Sequence, residues 1–266
     1  MASNNKSPSR LWSRRRMLQA TPLAFLGGCA ALEESTTLNR IFDWFAGLND
    51  RVGALFFSSR RLMREFPPEA ITATFKNNRH GDTPALHPET WDMVVGRLML
   101  DGHSVSIKPE TRVNLEAVKR LPKVTQITEL RCVEGWSAVA KWGGARFSTF
   151  LKDFDPRPGE RFLFFYSADR YFDVLDMDTL HHPQTLLVYE MNDQPLPLEH
   201  GGPVRLIAPT KIGYKNVKWI TGLAFTTTNV GGFWDPQGYP MVLRTARRAA
   251  GRLLTPARLR AVTGAA

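Results

Sequence analysis

The segment LLVYEMNDQPLPLEHGGPVRLIAP, residues 186–209, is the most informative stretch for the fold. Apolar and β-branched residues fill its two ends, and proline and glycine crowd its middle. This pattern predicts two buried strands joined through tight turns. Moving outward, RFLFFYSA (161–168) and VKWITGLAFTTT (217–228) predict further strands of the same buried type.

Earlier segments continue the pattern. TWDMVVGRLML (90–100) predicts a strand closed by Asp101-Gly102, and KVTQITELRC (123–132) predicts a strand that ends at Cys132. Residues 113–121 and ARFSTFLKDF (145–154) predict short helices, and apolar residues at helical spacing predict a longer amphipathic helix over 36–62. Short helices among many strands indicate an α+β fold with a β-rich core in a single domain.

The distribution of charge argues against nucleic-acid binding. The chain has 266 residues and a formal charge of +10. Residues 1–29 and 241–266 hold five and six basic residues and no acidic one, so 24 basic and 25 acidic residues remain between them. The predicted organisation is a signal over 1–29, a helical segment over 30–68, the main folded domain over 69–240 and a basic tail over 241–266. A nucleic-acid binder would gather its cations on the folded domain.

The first 29 residues have the features of an export signal. SRRRML (13–18) resembles a twin-arginine motif, and the apolar stretch that follows is too short to span a bilayer. Leu26-Gly27-Gly28-Cys29 resembles a lipobox, which predicts lipidation of Cys29 and membrane contact through that anchor; an ordinary signal cleaved nearby is the alternative. We therefore expect a periplasmic protein. Because the twin-arginine route carries folded proteins, the signal favours a bound cofactor.

Cys132 is the second of only two cysteines in the chain. Once Cys29 is lipidated or removed, Cys132 has no disulfide partner, so it is either buried and inert or a ligand. No dinucleotide, phosphate-loop or zinc motif is present. Several cationic and imidazole side chains near turns and strand ends suit a phosphate and a polar heterocycle. They are His80, His103, His200, Arg205, Lys215 and Lys218.

Four segments together resemble a known family. LRCVEGWS, YSADRYF, the 186–209 segment and GYKNVKWI are similar, in this order, to the sulfite oxidase-type molybdopterin domain. Among its members, the residues most resemble periplasmic protein-methionine-sulfoxide reductase catalytic subunits and sulfite-oxidase-like proteins. The resemblance covers about residues 69–240. It implies a single molybdenum–molybdopterin cofactor per chain, with Cys132 as the thiolate ligand of the metal.

The resemblance also implies roles for other residues. Tyr171 would be an active-site tyrosine near the oxo group. The remaining implied cofactor contacts are Asn77, His80, Gly81, Ser167, His200, Arg205, Asn216, Val217 and Lys218. Expected partners are a sulfur-containing oxo substrate and a separate electron carrier, for which a membrane b-type cytochrome is a candidate, and the expected state is a monomer. A non-catalytic lipoprotein that kept the fold is the alternative.

One departure bears on the substrate. Sulfite oxidases carry an arginine shortly after the metal-binding cysteine, and this chain has Glu134 there. A carboxylate would repel a sulfite dianion, so oxygen transfer at sulfur is expected with the direction of transfer left open.

Overall fold

The computed structural model describes residues 61–79, 81–101 and 104–235. The export signal with Cys29, the basic tail and almost all of the helix predicted over 36–62 lie outside these residues. In the described part, no helix is long and apolar enough to cross a bilayer.

Within these ranges, ten strands, three short α-helices and four 3-10 turns make up the regular structure. The helices are α1 (Leu115–Lys119), α2 (Phe147–Phe150) and α3 (Met177–His181). The strands are β1 (Asp92–Asp101), β2 (Ser104–Asn114), β3 (Lys123–Arg131), β4 (Ser137–Arg146), β5 (Phe162–Ser167), β6 (Phe172–Asp176), β7 (Leu186–Met191), β8 (Gln194–Pro195), β9 (Arg205–Ile207) and β10 (Ile220–Thr226).

The strands form two sheets. The first has the order β2-β1-β10-β5-β6, in which β1 and β10 run parallel and the other neighbours are antiparallel. The second has the order β3-β4-β7-β8, and β9 pairs with the other part of β7. The prediction of a β-rich mixed fold is confirmed.

The apolar core explains why the strands read as continuous hydrophobic runs. Successive side chains of a strand point to opposite faces, and both faces of β7 are covered. Leu187 and Tyr189 pack into the main core, which also contains Phe165 and Leu223 of the first sheet. Leu186 and Val188 instead join a second cluster around Trp142. Apolar residues therefore fill almost every position of β7, with the partly exposed Glu190 as the exception.

Side-chain caps begin two of the helices. The Asn114 carboxamide oxygen accepts from the Ala117 backbone N–H at 2.9 Å, and the Asp176 carboxylate accepts from Thr179 at 2.7 Å. Such caps satisfy backbone donors that a first turn leaves without a partner. The helix predicted over 113–121 is confirmed.

Several boundaries differ from the predictions. The helix predicted over 145–154 begins at Phe147, because Ala145 and Arg146 still pair with β7. The strand predicted from 217 begins at Ile220, since Trp219 has a φ of +48°, which an extended strand does not allow. Strands β2, β4 and β6 and helix α3 were not predicted; their polar or glycine-containing sequences carry a weaker pattern.

Candidate active site

A cavity of about 590 Å³ collects residues from segments far apart in the chain. Polar and aromatic side chains dominate its lining. Nine of the residues expected at the site line it: Asn77, Cys132, Ser167, Tyr171, His200, Arg205, Asn216, Val217 and Lys218.

Cys132 directly follows β3, in the short connection to β4. Its N–H donates to the Trp136 carbonyl at 2.9 Å, and its own carbonyl accepts from Gly135 at 3.2 Å. Gly135 has a φ of +86°, a conformation that glycine adopts most readily. The turn places the half-buried thiol at the cavity, where the Asn78 amide nitrogen lies 3.6 Å from Sγ. The sulfur is thus accessible to a bound group rather than enclosed in the core.

Glu134 lies on the same turn. Its carboxylate accepts from Lys76 Nζ and from Trp136 Nε1, each at 3.0 Å. Hydrogen bonds from Asn78, Lys76 and Trp136 lower the pKa of Glu134 to about 2. Asn78 therefore contacts both the thiol and the carboxylate. At neutral pH an ionised carboxylate lies beside the candidate ligand.

Arg205 is a buried cation at the start of β9. Its Nη1 donates to the His200 carbonyl at 2.6 Å and its Nη2 to the Asn216 carbonyl at 3.3 Å. Its guanidinium also lies over the Trp142 ring, 5.3 Å from the centroid. Burial lowers the pKa of Arg205 to about 9. Neutral carbonyls orient the charge but do not neutralise it.

Lys218 is the second cation of the site. Its Nζ donates to Asn77 Oδ1 at 2.7 Å and to the Glu199 carbonyl at 3.3 Å. Burial, together with the charge of Arg205, lowers the pKa of Lys218 to about 7. Gly201 permits this placement, because a Cβ there would lie 2.8 Å from the Lys218 Cβ.

The His200 imidazole lies close to both of these cations and to the ring of Phe75. Its ring meets that of Phe75 edge-on, with centroids 5.4 Å apart. Burial and the charge of Arg205 lower the pKa of His200, so the imidazole is neutral at pH 7.

Other expected contacts are already engaged within the protein. The Ser167 hydroxyl donates to the Lys218 carbonyl at 2.6 Å. The Asn216 side chain accepts from the Ala208 N–H at 2.7 Å and donates to the Ile212 carbonyl at 2.9 Å. Val217 is buried, and its carbonyl accepts from Leu206. In the structure these bonds hold the chain around Lys218 in place.

Tyr171 lines another part of the cavity. Its hydroxyl donates to the Tyr214 carbonyl at 2.8 Å and lies 3.4 Å from Asp173 Oδ2. Burial and the Asp173 charge raise its pKa well above the ordinary value, so Tyr171 keeps its proton.

The remaining expected residues have different outcomes. Gly81, with a φ of +81°, is not among the residues that line the cavity. His80 and His103 lie outside the described residues. Lys215 does not contribute to an anion site, since its ammonium is buried 2.5 Å from Asp173 Oδ1. Its place near a turn was a misleading signal.

Two residues were missed. Asn78 adjoins the expected Asn77, but only its contacts with Cys132 and Glu134 in the folded protein mark it. Trp219 has a left-handed backbone, and its backbone N–H donates to the Gly201 carbonyl while its indole Nε1 donates to the Leu198 carbonyl. The Lys218 Nζ lies 4.6 Å from the centroid of the Trp219 ring. Sequence contains no signal for a positive φ at tryptophan.

The cavity fits an anionic, phosphorylated cofactor. Across the described ranges, no carboxylate lies within ion-pair distance of Arg205 or Lys218, although both are largely buried. Buried charges normally have a counter-charge. A phosphate would supply it, and a single accessible thiol suits a soft transition-metal centre.

The fold and the cavity together describe a β-rich domain with a site suited to an anionic cofactor. The chain belongs to the oxidoreductase molybdopterin binding domain family, whose model matches residues 80–234. It is a molybdopterin-dependent oxidoreductase of the sulfite oxidase type, as the sequence resemblance implied.

Individual relatives agree. The chain is 33% identical to a putative protein-methionine-sulfoxide reductase subunit, YedZ1, of Azospira oryzae, over 87% of this chain and 86% of the relative. It is 31% identical to the protein-methionine-sulfoxide reductase catalytic subunit MsrP of Ralstonia nicotianae, over 56% of this chain and 48% of that protein.

A solved structure supports the fold alone. The sulfane dehydrogenase SoxCD of Paracoccus pantotrophus superposes with a TM-score of 0.50 at 18% identity. The match covers 57% of this chain and 42% of that one.

Proposed function

We propose that the protein is an exported enzyme that removes an oxygen atom from the sulfur of an uncharged sulfoxide, with electrons from a separate carrier. The molybdenum–pterin group, when bound, supplies the oxygen-atom transfer chemistry. Cys132 would ligate the metal, and Arg205 and Lys218 would hold the phosphate end, with Asn77 orienting Lys218. His200 would contact the pterin as a neutral imidazole.

The observation that carries the choice of substrate is the ionised Glu134 beside Cys132. The turn that bears the thiol offers a carboxylate where an anion-binding enzyme needs a cation. Lys76 offsets this charge, but it does so while bound to Glu134 and is not available as a free cation. A neutral sulfoxide is not repelled by the carboxylate, whereas a sulfite dianion is. The names of the methionine-sulfoxide reductase relatives agree with this substrate class.

The test compares two substrates on one preparation. Protein from a molybdenum-replete host is assayed with reduced viologen and free methionine sulfoxide, and with sulfite and an electron-accepting dye. We expect about one molybdenum per chain and at least about tenfold higher kcat/KM for the sulfoxide, because the ionised Glu134 carboxylate repels only the anionic substrate. Glu134→Gln should raise kcat/KM for sulfite and leave that for the sulfoxide within about twofold. A wild-type preference for sulfite would refute the substrate assignment.

Export and the lipid anchor form the second part of the proposal. Its support is the sequence: the arginines of SRRRML, the short apolar run and Cys29. Changing Arg14 and Arg15 to Lys should retain the precursor in the cytoplasm. Cys29→Ala should move the exported protein from the membrane to the soluble fraction. Equal export of the wild type and of the variant with Lys at positions 14 and 15 would contradict the twin-arginine route.

A further inference from the structure

The segment of residues 75–79 contacts two different parts of the cavity wall. Asn77 Oδ1 accepts from Lys218 Nζ at 2.7 Å, which fastens the segment to a cation of the cavity. The next side chain meets the thiol, because the Asn78 amide nitrogen lies 3.6 Å from Cys132 Sγ. Asn78 and Cys132 are both partly buried, so water weakens this contact less than it would on the open surface. The proposed function gives Asn78 no role, although its side chain contacts the candidate metal ligand.

The contact with Glu134 determines which end of the Asn78 amide faces the sulfur. A carboxamide has an oxygen that only accepts hydrogen bonds and a nitrogen with two N–H donors. An ionised carboxylate only accepts, and the Asn78 side chain hydrogen-bonds the Glu134 carboxylate. The amide nitrogen is therefore on the side of the turn, and its second N–H is available to Cys132 Sγ. A flipped amide would instead place an acceptor oxygen against both the carboxylate and the sulfur.

Glu134 is itself held in place by two other donors. Lys76 Nζ and Trp136 Nε1 each donate to its Oε2 at 3.0 Å. The Trp136 ring in turn meets the Phe75 ring nearly edge-on, with centroids 6.4 Å apart. The carboxylate that orients Asn78 is thus anchored by the same segment and the same turn. The direction of the amide is therefore a property of the protein fold.

A hydrogen bond to a metal-bound thiolate changes how strongly the sulfur donates electrons. Sulfur accepts weakly as a thiol, and a thiolate accepts more strongly because the hydrogen bond is charge-assisted. The N–H draws electron density away from the sulfur, so the reduced, more electron-rich metal becomes easier to reach. Hydrogen bonds to ligand sulfurs are one of the means by which proteins set the reduction potential of a metal centre.

We propose that Asn78 is a positioning residue whose hydrogen bond to the Cys132 sulfur raises the reduction potential of the metal that Cys132 would hold. The proposal rests on the proposed function only in taking Cys132 as the metal ligand. A raised potential lets a separate carrier of modest reducing power deliver the two electrons that sulfoxide reduction consumes. Glu134 then has two effects: its charge disfavours a sulfite dianion, and its hydrogen bond directs Asn78 to the sulfur.

The experiment is a redox titration of molybdenum-loaded Asn78→Leu, followed by electron paramagnetic resonance, with molybdenum content determined for every protein. Leucine keeps the branched shape of asparagine but has no donor. The midpoint potential should shift negative by about 30 mV or more, which is a tenfold change in the two-electron equilibrium with the donor. With methionine sulfoxide, kcat should fall about tenfold with reduced benzyl viologen and stay within about threefold with methyl viologen, the stronger reductant. A purely structural loss would lower both rates equally.

Two further variants separate tuning of the potential from damage to the segment. Asn78→Ser removes the amide without placing an apolar group beside an ionised carboxylate, and it should shift the potential in the same direction. Thr72→Val is the matched control. It removes the 2.9 Å hydrogen bond from the Val139 N–H, which fastens the preceding part of the chain to β4, and Thr72 does not line the cavity. Its potential should equal that of the wild type.

The outcomes distinguish this proposal from the proposed function. The potential is measured without substrate, so a molybdenum-loaded wild type that lacks sulfoxide activity overturns the proposed function, and the shift alone then decides the role of Asn78. An unchanged potential in loaded Asn78→Leu, or an equal shift in Thr72→Val, overturns that role. If neither Asn78 variant binds molybdenum, the wild type is grown with asparagine isotopically labelled at the amide nitrogen and studied by pulsed electron paramagnetic resonance. Coupling of the metal to the labelled nitrogen supports the hydrogen bond, and its absence overturns the proposal.

Discussion

Replacing Lys218 by Met should stabilise the cofactor-free protein while it weakens cofactor binding. Burial and the charge of Arg205 lower the pKa of Lys218 from 10.5 to about 7. A lysine whose pKa is lower in the folded state loses protons on folding, so its penalty is present at low pH and disappears as pH rises toward the unfolded value. Each unit of pKa is worth about 1.4 kcal/mol, which makes the penalty roughly 4 kcal/mol at pH 7 and about 1 kcal/mol at pH 9.5.

The variant also loses the 2.7 Å hydrogen bond to Asn77, worth about 1–2 kcal/mol. The net gain is then about 2–3 kcal/mol at pH 7 and close to zero at pH 9.5. Urea unfolding of protein from a host that lacks the pterin measures both values. Lys108→Met, a change at an exposed lysine of β2, is the control and should have little effect at either pH.

In protein from a molybdenum-replete host, the wild type should be the more stable of the two, because it binds the cofactor better than Lys218→Met does. Lys218→Met should retain well under half of the wild-type molybdenum, because the phosphate loses a cation. A cofactor-free variant no more stable than wild type at pH 7, or a gain of equal size at both pH values, would refute the idea that Lys218 is a buried charge awaiting an anion.

Three further predictions concern the same framework. Cys132→Ser should lose most bound molybdenum and lower oxygen-transfer activity by about 100-fold or more, since a hydroxyl is a poor substitute for a thiolate ligand; full activity would exclude the ligand role. Pyrophosphate binding to the cofactor-free protein, measured calorimetrically, should weaken by up to about tenfold between pH 7 and pH 8, where Lys218 loses its charge while Arg205, with a pKa of about 9, keeps most of its own; Lys218→Met should show a clearly smaller change over this interval, and an equal change in both proteins would contradict the prediction. Gly144→Ala should destabilise the fold by about 2 kcal/mol or more in urea unfolding, because its Cβ would lie 2.0 Å from the Leu187 carbonyl oxygen and separate β4 from β7; an unchanged midpoint would show that the strands tolerate the shift.

Local pattern was sufficient for the elements whose burial is uniform. The strands β5 and β7 are apolar at almost every position because both of their faces are covered, so their sequences alone indicate burial. The strand β2 is different. Most of its residues are exposed, it contains Pro109, and its existence depends on pairing with β1 along its whole length. Such a strand leaves no periodic apolar signal.

For the site, the ordered match of four segments brought Cys132, Arg205 and Lys218 together as candidates. The chemistry of each type was readable: a lone thiol, a planar cation and a flexible cation. The contact between Lys218 and Asn77 joins residues 141 positions apart, and no local pattern encodes such a distance. The family resemblance supplied this information in place of geometry.

What the sequence determined by itself was the inventory: many buried strands, one thiol at a strand end, and a glutamate where the related sulfite oxidases carry a cation. The tertiary structure decided which charges are compensated. Lys215 and Lys218 are three residues apart, and both looked like anion ligands. One is buried against Asp173, and the other points toward Asn77 in the cavity. The Asn216 side chain holds the chain between the two lysines, and the left-handed backbone of Trp219 follows directly after Lys218. The two ammonium groups therefore point in different directions, and only folding creates this local conformation.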